Sequence, residues 1–136
     1  MTAFVRRKLV RFHHCDPAGI VFYPQYFTMF NELVEDWFTE GMDLPFADLH
    51  VEQRLGTPTA HIECKFMEPS RVGDILDFVL AVTSLGKSSI NVAVSVSVDF
   101  NERLIARQTL VLVSLDTMKS IPIPDDLRAK LEKFKP

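Results

Sequence analysis

The segment FYPQYFTMFNELVEDWFTEG, residues 22–41, decides the architecture of this chain of 136 residues. It contains the only Trp, both Tyr and four of the 11 Phe. Its apolar residues recur at the i, i+3, i+4, i+7 spacing that places side chains on one helix face: Tyr26, Phe27, Phe30, Leu33, Val34, Trp37 and Phe38. Pro24 suits the first turn of a helix, and Gly41 suits a C-terminal cap. The segment therefore predicts one long helix from Pro24, and we interpret most of its aromatic face as core.

Strands are predicted for most of the chain after an irregular stretch at residues 42–57. In residues 90–100, Ile, Val or Phe alternates with Asn, Ala, Ser or Asp, which is the period of a strand with one buried face. Similar runs occupy residues 59–67, 75–85 and 104–115, and turns separate the runs at residues 69–74, 86–87 and 101–103. Turns this short leave no room for crossover helices, so the strands are expected to pair antiparallel.

The two ends of the chain complete the predicted fold. Residues 2–12 predict an N-terminal strand, and residues 124–134, with Leu127 and Leu131 one turn apart, predict a short terminal helix. One long helix against five antiparallel strands is a two-layer α+β arrangement. The length, with 47% hydrophobic and 24% charged residues, fits a single domain over residues 1–136. Such a domain leaves little interior for a ligand, so we expect the functional site at a subunit interface.

The composition and charge exclude several classes of protein. A net charge of -3 gives no basic footprint for nucleic acid. No run approaches the roughly 18–20 apolar residues of a membrane span, and residues 1–7 lack the apolar core of a secretory signal. Cys15 and Cys64 are too few for a disulfide framework and lack the paired spacing of a zinc site. We therefore expect a cytoplasmic protein with reduced thiols, no nucleic-acid partner and no membrane partner.

The loop HHCDPAGIVFYP, residues 13–24, places reactive side chains directly before the helix. Successive extended residues alternate faces, so the two His, Cys15 and Asp16 are not expected to hold a metal together. Cys15 fits either a small buried group or a nucleophile. Asp16 fits either the residue that begins the Asp-Pro turn or a carboxylate beside a helix N-terminus, whose free N–H groups can stabilise an oxyanion. The second alternative would be an acyl-transfer site.

The run CDPAGIVFYPQY, residues 15–26, followed by the aromatic helix, resembles the signature of the 4-hydroxybenzoyl-CoA thioesterase family of hotdog-fold acyl-CoA thioesterases. The segment GTP at residues 56–58 is also similar, and the order of elements agrees over nearly the whole chain. The resemblance implies a hotdog fold, in which a five-stranded antiparallel sheet wraps one long central helix. It also implies hydrolysis of an acyl-CoA without a metal or redox cofactor. The active site would form in a homodimer that assembles further into a homotetramer.

The same resemblance implies roles for residues around the helix start. Asp16 is then the catalytic carboxylate, acting as nucleophile or as general base for water, and the backbone N–H of Tyr23 polarises the thioester carbonyl. Thr57 is then a substrate-binding residue. Pro24 stands where the thioesterases of the Tol-Pal envelope system have His, so only the two histidines before Cys15 remain as accessory groups. Each of them fits an ordinary loop histidine as well.

Three further residues are candidates for substrate binding. Asn31 interrupts the apolar stripe and is either a boundary residue or an acyl-pocket residue that binds a polar acyl group. The turn GKSS, residues 86–89, ends like a phosphate-binding P-loop, but Ala81 replaces the first glycine and the turn joins two strands, which excludes nucleotide hydrolysis. By the family resemblance, Lys87 and Ser89 bind the phosphates of coenzyme A; otherwise they are solvated turn residues.

The sequence thus favours an acyl-CoA thioesterase, and the aromatic lining is compatible with an aryl acyl group, although aromatic rings also pack fatty chains. The alternative is a non-hydrolytic acyl-CoA binding module of the same fold. Binding needs no carboxylate beside the thioester, whereas hydrolysis does, so Asp16 separates the two functions. A hotdog dehydratase would carry a catalytic His with an acidic partner on the central helix, and residues 24–41 contain no His.

Overall fold

A computed structural model of the chain describes residues 3–136, so Met1 and Thr2, where the predicted N-terminal strand begins, lie outside the described residues. The strands are β1 (Phe4–Leu9), β2 (Leu55–Gly56), β3 (Thr59–Phe66), β4 (Ile75–Leu85), β5 (Ser89–Val98), β6 (Asn101–Val111) and β7 (Val113–Ser114). The helices are α1 (Tyr23–Asp36) and α2 (Asp125–Glu132), with a 3-10 turn at Phe12–His14 and π-helical turns at Trp37–Gly41 and Asp48–Glu52. None of these helices is long and apolar enough to span a membrane.

Five of these strands form one antiparallel sheet in the order β1-β4-β5-β6-β3, and β2 pairs separately with β7. One long helix with a five-stranded antiparallel sheet is the predicted α+β hotdog arrangement, which is confirmed. α1 lies on the buried face of the sheet, where the Phe30 ring meets Phe78 of β4 edge-on at a centroid distance of 6.3 Å. Lys8 of the edge strand β1 pairs with Glu32 of α1 at 2.9 Å, which ties that edge to the helix.

Alternation along the strands sets the core, as the periodicity predicts. In β5, Val92, Val94 and Val96 are buried, while the residues between them are partly exposed on the other face. On α1 and the π-helical turn after it, six of the seven predicted apolar residues are buried, but Phe27 is 38% exposed and Met29 is buried instead. Phe27 lies at the edge of the apolar stripe, where a small rotation of the helix decides burial. The prediction of Phe27 as core was therefore wrong.

The hairpin between β5 and β6 differs from the prediction. Residues 101–103, expected as a turn, begin β6, and the chain reverses at Asp99 and Phe100, whose φ values are 49° and 67°. Two successive residues with positive φ match the twist of a two-residue hairpin. Residues other than glycine rarely adopt this conformation, so Asp99 followed by Phe100 is not an ordinary turn signal. Phe100 continues the apolar alternation of β5 in sequence but is fully exposed.

Other element boundaries shift by a few residues. The predicted N-terminal strand ends at Leu9, and Phe12 lies in the 3-10 turn. The predicted run over residues 104–115 divides after Val111, and its last part, β7, pairs with β2 inside the stretch that was expected to be irregular. The terminal helix is confirmed as α2, with both of its Leu residues buried. The periodicity of apolar residues thus predicted which segments form strands and helices. The turns determine the residues at which these segments end.

Candidate active site

Asp16 lies in a tight loop that closes on the start of α1. Its Oδ1 accepts a hydrogen bond from the Ala18 N–H at 2.9 Å, and its own N–H donates to the Ile20 carbonyl at 3.0 Å. Gly19 completes the loop with a φ of 79°, a conformation that favours glycine. Asp16 is half-buried, and within residues 3–136 its Oδ2 has no hydrogen-bond partner. Asp16 therefore begins the turn, as one interpretation predicted, and still keeps one carboxylate oxygen available.

The backbone N–H of Tyr23 is an unused donor at the N-terminus of α1. Tyr23 is the first residue of the helix, so its N–H has no intrahelical acceptor, and the rest of the described chain supplies none. Pro24 has no N–H, and the Gln25 N–H donates to the Phe22 carbonyl at 2.8 Å. The Phe22 N–H donates to the His14 carbonyl at 2.9 Å, which ties the helix start to the loop of Asp16. The helix dipole adds partial positive charge at this end.

An exposed aromatic patch, formed by Phe22, Tyr23, Phe27 and Phe66, surrounds the helix start. These side chains are 38–57% exposed, and the Tyr23 ring lies 5.7–6.4 Å from the other three rings, measured between centroids. A groove of about 290 Å³ runs beside the patch, with Tyr23 and Phe66 in its lining, whereas Asp16 does not line it. Exposed apolar patches on soluble proteins mark binding or association surfaces when they are contiguous.

Asn31 and Thr57 line a second cavity, of about 300 Å³, beside the middle of α1. The structure thus brings these two predicted substrate-binding residues together. Two polar residues that were not predicted, His50 and Gln108, line the same cavity. Gln108 interrupts the inward-facing apolar alternation of β6, and that interruption was a usable signal. His50 lies in a stretch without periodicity, so nothing in the sequence marked it.

The two halves of the candidate site do not meet within one protomer. Tyr23 and Asn31 are eight residues apart on α1, which corresponds to about 12 Å along the helix axis. The groove at Tyr23 and the cavity at Asn31 have no lining residue in common. One protomer therefore holds the loop of Asp16 and the free N–H of Tyr23 at the start of α1, and the polar cavity beside the middle of the helix.

Lys87 and Ser89 lie at the turn between β4 and β5, so the turn joins two strands, as predicted. The Gly86 N–H donates to the Ser89 carbonyl at 2.9 Å, and Lys87 is exposed. Arg128 of α2 donates from Nη2 to the Gly86 carbonyl at 2.8 Å, which places a second cation beside Lys87. Arg128 was not predicted, because only the Leu residues of the terminal helix carried a pattern. Two positive charges therefore lie at this turn, one on Lys87 and one on Arg128 of α2.

Two titratable side chains precede Asp16. Burial lowers the pKa of His14, and the neighbouring His13 adds to this effect. His14 Nδ1 accepts the Arg11 N–H at 2.9 Å, so the neutral ring carries its proton on Nε2. Burial raises the pKa of Cys15, with a further contribution from the negative charge of Asp16. A protonated thiol is a poor nucleophile, so Cys15 fits the small structural group better than the nucleophile.

A larger cavity, of about 540 Å³, lies on the face of the sheet that α1 does not cover. Residues of four strands, β3 to β6, line it, among them Val79, Ala81, Ala93 and Ile105, and none of the predicted site residues does. Within residues 3–136, no group of three or more His, Cys, Asp or Glu side chains is placed to hold a metal ion. The 540 Å³ cavity is therefore separate from the candidate active site.

Known proteins resemble this chain in sequence and in fold. Residues 10–131 match the sequence model of the thioesterase-like superfamily. A protein of Synechococcus elongatus named 1,4-dihydroxy-2-naphthoyl-CoA hydrolase is 24% identical over 135 residues, which cover 97% of each chain. The crystal structure of a thioesterase-superfamily protein from Jannaschia sp. CCS1 is 31% identical, with a TM-score of 0.92, and the match covers 99% of this chain and 94% of that one. The structure of a gentisyl-coenzyme A thioesterase is 23% identical, with a TM-score of 0.85 and coverage of 94% and 99%, and shows the same fold.

Proposed function

Because this chain belongs to the thioesterase-like superfamily, we propose that it hydrolyses an acyl-CoA thioester to the free acid and coenzyme A. The observation that carries the proposal is the junction of loop and helix that holds both the Asp16 carboxylate and the unused N–H of Tyr23. A carboxylate can attack a carbonyl or activate water. A backbone donor at a helix N-terminus can hold the oxyanion that forms in either case.

Two routes use these groups. In the general-base route, Asp16 takes a proton from water while the water oxygen bonds to the thioester carbon, and the resulting oxyanion accepts the Tyr23 N–H. The carbonyl then re-forms, the C–S bond breaks, and the coenzyme A thiolate takes the proton from Asp16. In the nucleophilic route, an Asp16 oxygen bonds to the carbon, the thiolate leaves, and water cleaves the anhydride. Both routes consume one water, yield one acid and one thiol, and need no metal or redox cofactor.

An aromatic acyl group suits the proposed substrate. The aromatic patch offers ring faces and edges at the catalytic end, and aromatic pairs gain from such geometry. Asn31 and Thr57 offer polar groups in the other cavity. The relative from Synechococcus elongatus is named for an aryl-CoA with two hydroxyl groups. These observations support an aryl-CoA over a fatty acyl-CoA.

The proposed active site is completed by a second copy of the chain. β3 is an edge strand, and the unpaired backbone groups of an edge can pair with another strand. The groove at Tyr23 lies by the Phe66 end of β3, whereas the cavity at Asn31 lies by the Thr59 end. Antiparallel pairing of two β3 strands sets the Phe66 end of one beside the Thr59 end of its partner. The dimer would then bring together the two halves that one protomer keeps apart.

Two further surfaces support proposals for higher assembly and for the coenzyme A contact. The apolar 540 Å³ cavity on the uncovered face of the sheet gives a surface on which two dimers can pack into a tetramer. Light scattering should then give a mass of four times 15.5 kDa, whereas twice that mass would support the dimer and contradict the tetramer. The phosphates of coenzyme A would bind at the β4–β5 turn, where Lys87 and Arg128 supply charge and Ser89 a hydroxyl. A cytoplasmic location stays a prediction of the sequence.

A thiol-release assay over aryl, short and medium acyl-CoAs tests the proposed function. The wild-type chain should release coenzyme A, with aryl esters preferred, and Asp16→Asn should lose most of the rate. Asp99→Asn, which changes a carboxylate at the exposed β5–β6 turn, is the matched control and should keep the rate. Tight binding of acyl-CoA without thiol release by the wild-type chain would instead establish the non-hydrolytic binding module.

A further inference from the structure

The loop of Asp16 is attached to the turn that precedes β4, at residues 69–74. Two backbone hydrogen bonds join the two segments. They run from the Val21 N–H to the Ser70 carbonyl at 2.9 Å and from the Val72 N–H to the Gly19 carbonyl at 3.1 Å. Between them lies Ile20, whose carbonyl accepts the Asp16 N–H at 3.0 Å. The position of the Asp16 backbone therefore depends on the position of the 69–74 turn.

Arg103 of β6 holds the 69–74 turn together with Asp74. Its Nη1 lies 3.6 Å from Asp74 Oδ2 and also donates to the Pro69 carbonyl, so one guanidinium contacts both ends of the turn. Asp74 Oδ2 in addition accepts the Arg71 N–H at 2.9 Å. The Arg103 side chain is only 16% exposed, and within residues 3–136 its Nε is buried without a hydrogen-bond partner. Loss of the Asp74 charge would therefore leave a largely buried cation uncompensated, which proteins tolerate poorly.

The second group of the candidate site, the Tyr23 N–H, has a different support. It belongs to α1, which packs on the sheet, whereas Asp16 is attached to the turn that Arg103 holds. One hydrogen bond joins the two directly, from the Phe22 N–H to the His14 carbonyl. The carboxylate and the N–H donor therefore keep their relative position only while both supports hold. Catalysis is sensitive to this position, because a misplacement of about 1 Å can lower a rate by a factor of about 10².

We propose that Arg103 and Asp74 are positioning residues that set where the Asp16 carboxylate lies relative to the Tyr23 N–H. The inference rests on the proposed function, since both residues act on the reaction only through Asp16. Neither residue lines the groove at Tyr23 or the cavity at Asn31. Weakening their contact should therefore lower kcat and leave KM close to that of wild type.

The test is a double-mutant cycle on kcat with saturating benzoyl-CoA, in the wild-type and Asp16→Asn backgrounds, with enough enzyme to measure the slower one. Arg103→Lys keeps the charge, but a compact ammonium lacks the planar fork that contacts both ends of the turn. In the wild-type background it should lower kcat by about tenfold or more, with KM changed by about twofold at most. In the Asp16→Asn background it should change kcat by about twofold at most, because the carboxylate that Arg103 positions is already gone. A merely structural role would lower kcat by the same factor in both backgrounds.

The pair of Arg7 and Asp77 gives a matched control. Arg7 Nε lies 2.8 Å from Asp77 Oδ1, and this pair joins β1 to β4 without holding the 69–74 turn. Arg7→Lys should keep kcat in both backgrounds. Asp74→Asn tests the proposal from the other side, because Asn keeps an acceptor for the Arg71 N–H and removes the charge. It should show the same dependence on background as Arg103→Lys, and it decides the question if Arg103→Lys fails to fold.

The outcomes separate this inference from the proposed function. If the wild-type chain hydrolyses no acyl-CoA, the proposed function is overturned and the positioning role falls with it. If the wild-type chain is active and Asp16→Asn keeps its kcat, the positioning role is wrong while the hydrolase stands. Equal losses of kcat in both backgrounds, or no loss in either, would also overturn the positioning role of Arg103 and Asp74, but would leave Asp16 as the catalytic residue.

Discussion

The two ends of the helical segment that starts at Tyr23 lie in opposite surroundings, although both are rich in aromatic side chains. At the start, Phe22 and Tyr23 are 50% and 57% exposed, whereas Trp37 and Phe38 at the far end are 0% exposed. The start borders the loop of Asp16 and carries an unused N–H. The far end is packed, with Trp37 and Phe38 in edge-on contact at a centroid distance of 5.4 Å. Packing at the far end therefore holds the fold and leaves the start free to bind and react.

Phe38→Ala should have the largest effect on stability. Removing a fully buried ring loses transfer free energy and leaves a cavity, which typically lowers the free energy of unfolding by about 3–5 kcal/mol. Phe22→Ala removes the same ring from a half-exposed position and should cost about 1 kcal/mol or less. Urea unfolding measures both values. Equal losses would contradict the contrast between the two ends.

Two glycine substitutions should test the contrast between the two ends of the helical segment, with smaller losses of stability. Gly41 is the last residue of the helical segment, and the cap that was predicted there is the next residue, Met42. A Cβ on Gly41 would lie 2.9 Å from Trp37 and 3.0 Å from Phe4, so Gly41→Ala overpacks the core by about 1–3 kcal/mol. Gly19→Ala meets no atom within 4 Å and costs about 1–2 kcal/mol through its positive φ alone.

The activity of the two glycine variants separates the regions. Gly19 is in the loop of Asp16, where its N–H donates to the Asp16 carbonyl at 2.9 Å, so Gly19→Ala should lower kcat as well as stability. Gly41→Ala should lower stability only. Thermal unfolding and thiol release on both purified variants check this. A kcat for Gly19→Ala equal to that of wild type would show that the loop geometry is not needed for catalysis.

The smallest predicted effect is a pH dependence from His14. Burial lowers its folded pKa below the ordinary value of 6.5, so the unfolded chain binds the proton more readily. The stabilising contribution is therefore complete above pH 6.5 and is lost as the pH falls through the lower folded pKa. His14→Asn keeps an acceptor for the Arg11 N–H but cannot titrate. Urea unfolding at about pH 7.5 and pH 5 should show a larger loss for wild type than for this variant; equal losses would exclude His14 as the cause.

Periodicity was sufficient to predict the main elements of the fold. The 3.6-residue spacing of apolar residues located α1, and alternation located β4 and β5, because both patterns follow directly from which side chains are buried. Phe27 was wrongly predicted as buried, because the spacing of apolar residues does not decide the burial of a side chain at the edge of the stripe. The hairpin at Asp99 and Phe100 was missed because its positive φ values occur at residues that do not normally signal a turn.

The candidate site was predictable only in part. The adjacent turn signal, proline and helix start made Asp16 a candidate, but only the family resemblance singled out Asp16 and the Tyr23 N–H, and their catalytic roles stay predictions. The cavity that joins Asn31 to Gln108 depends on how α1 packs on β6, and spacing along the chain carries no such information. Arg128 reaches the β4–β5 turn across 42 residues of sequence, which no local pattern records.

The most direct test of Asp16 as the catalytic carboxylate is kcat for Asp16→Asn on a saturating aryl-CoA, measured with its free energy of unfolding. Asn keeps the Oδ1 that accepts the Ala18 N–H, so the loop and the stability should stay within about 0.5 kcal/mol of wild type. Loss of the base or nucleophile should lower kcat by a factor of about 10²–10⁴. A kcat within twofold of wild type would show that the carboxylate only builds the turn.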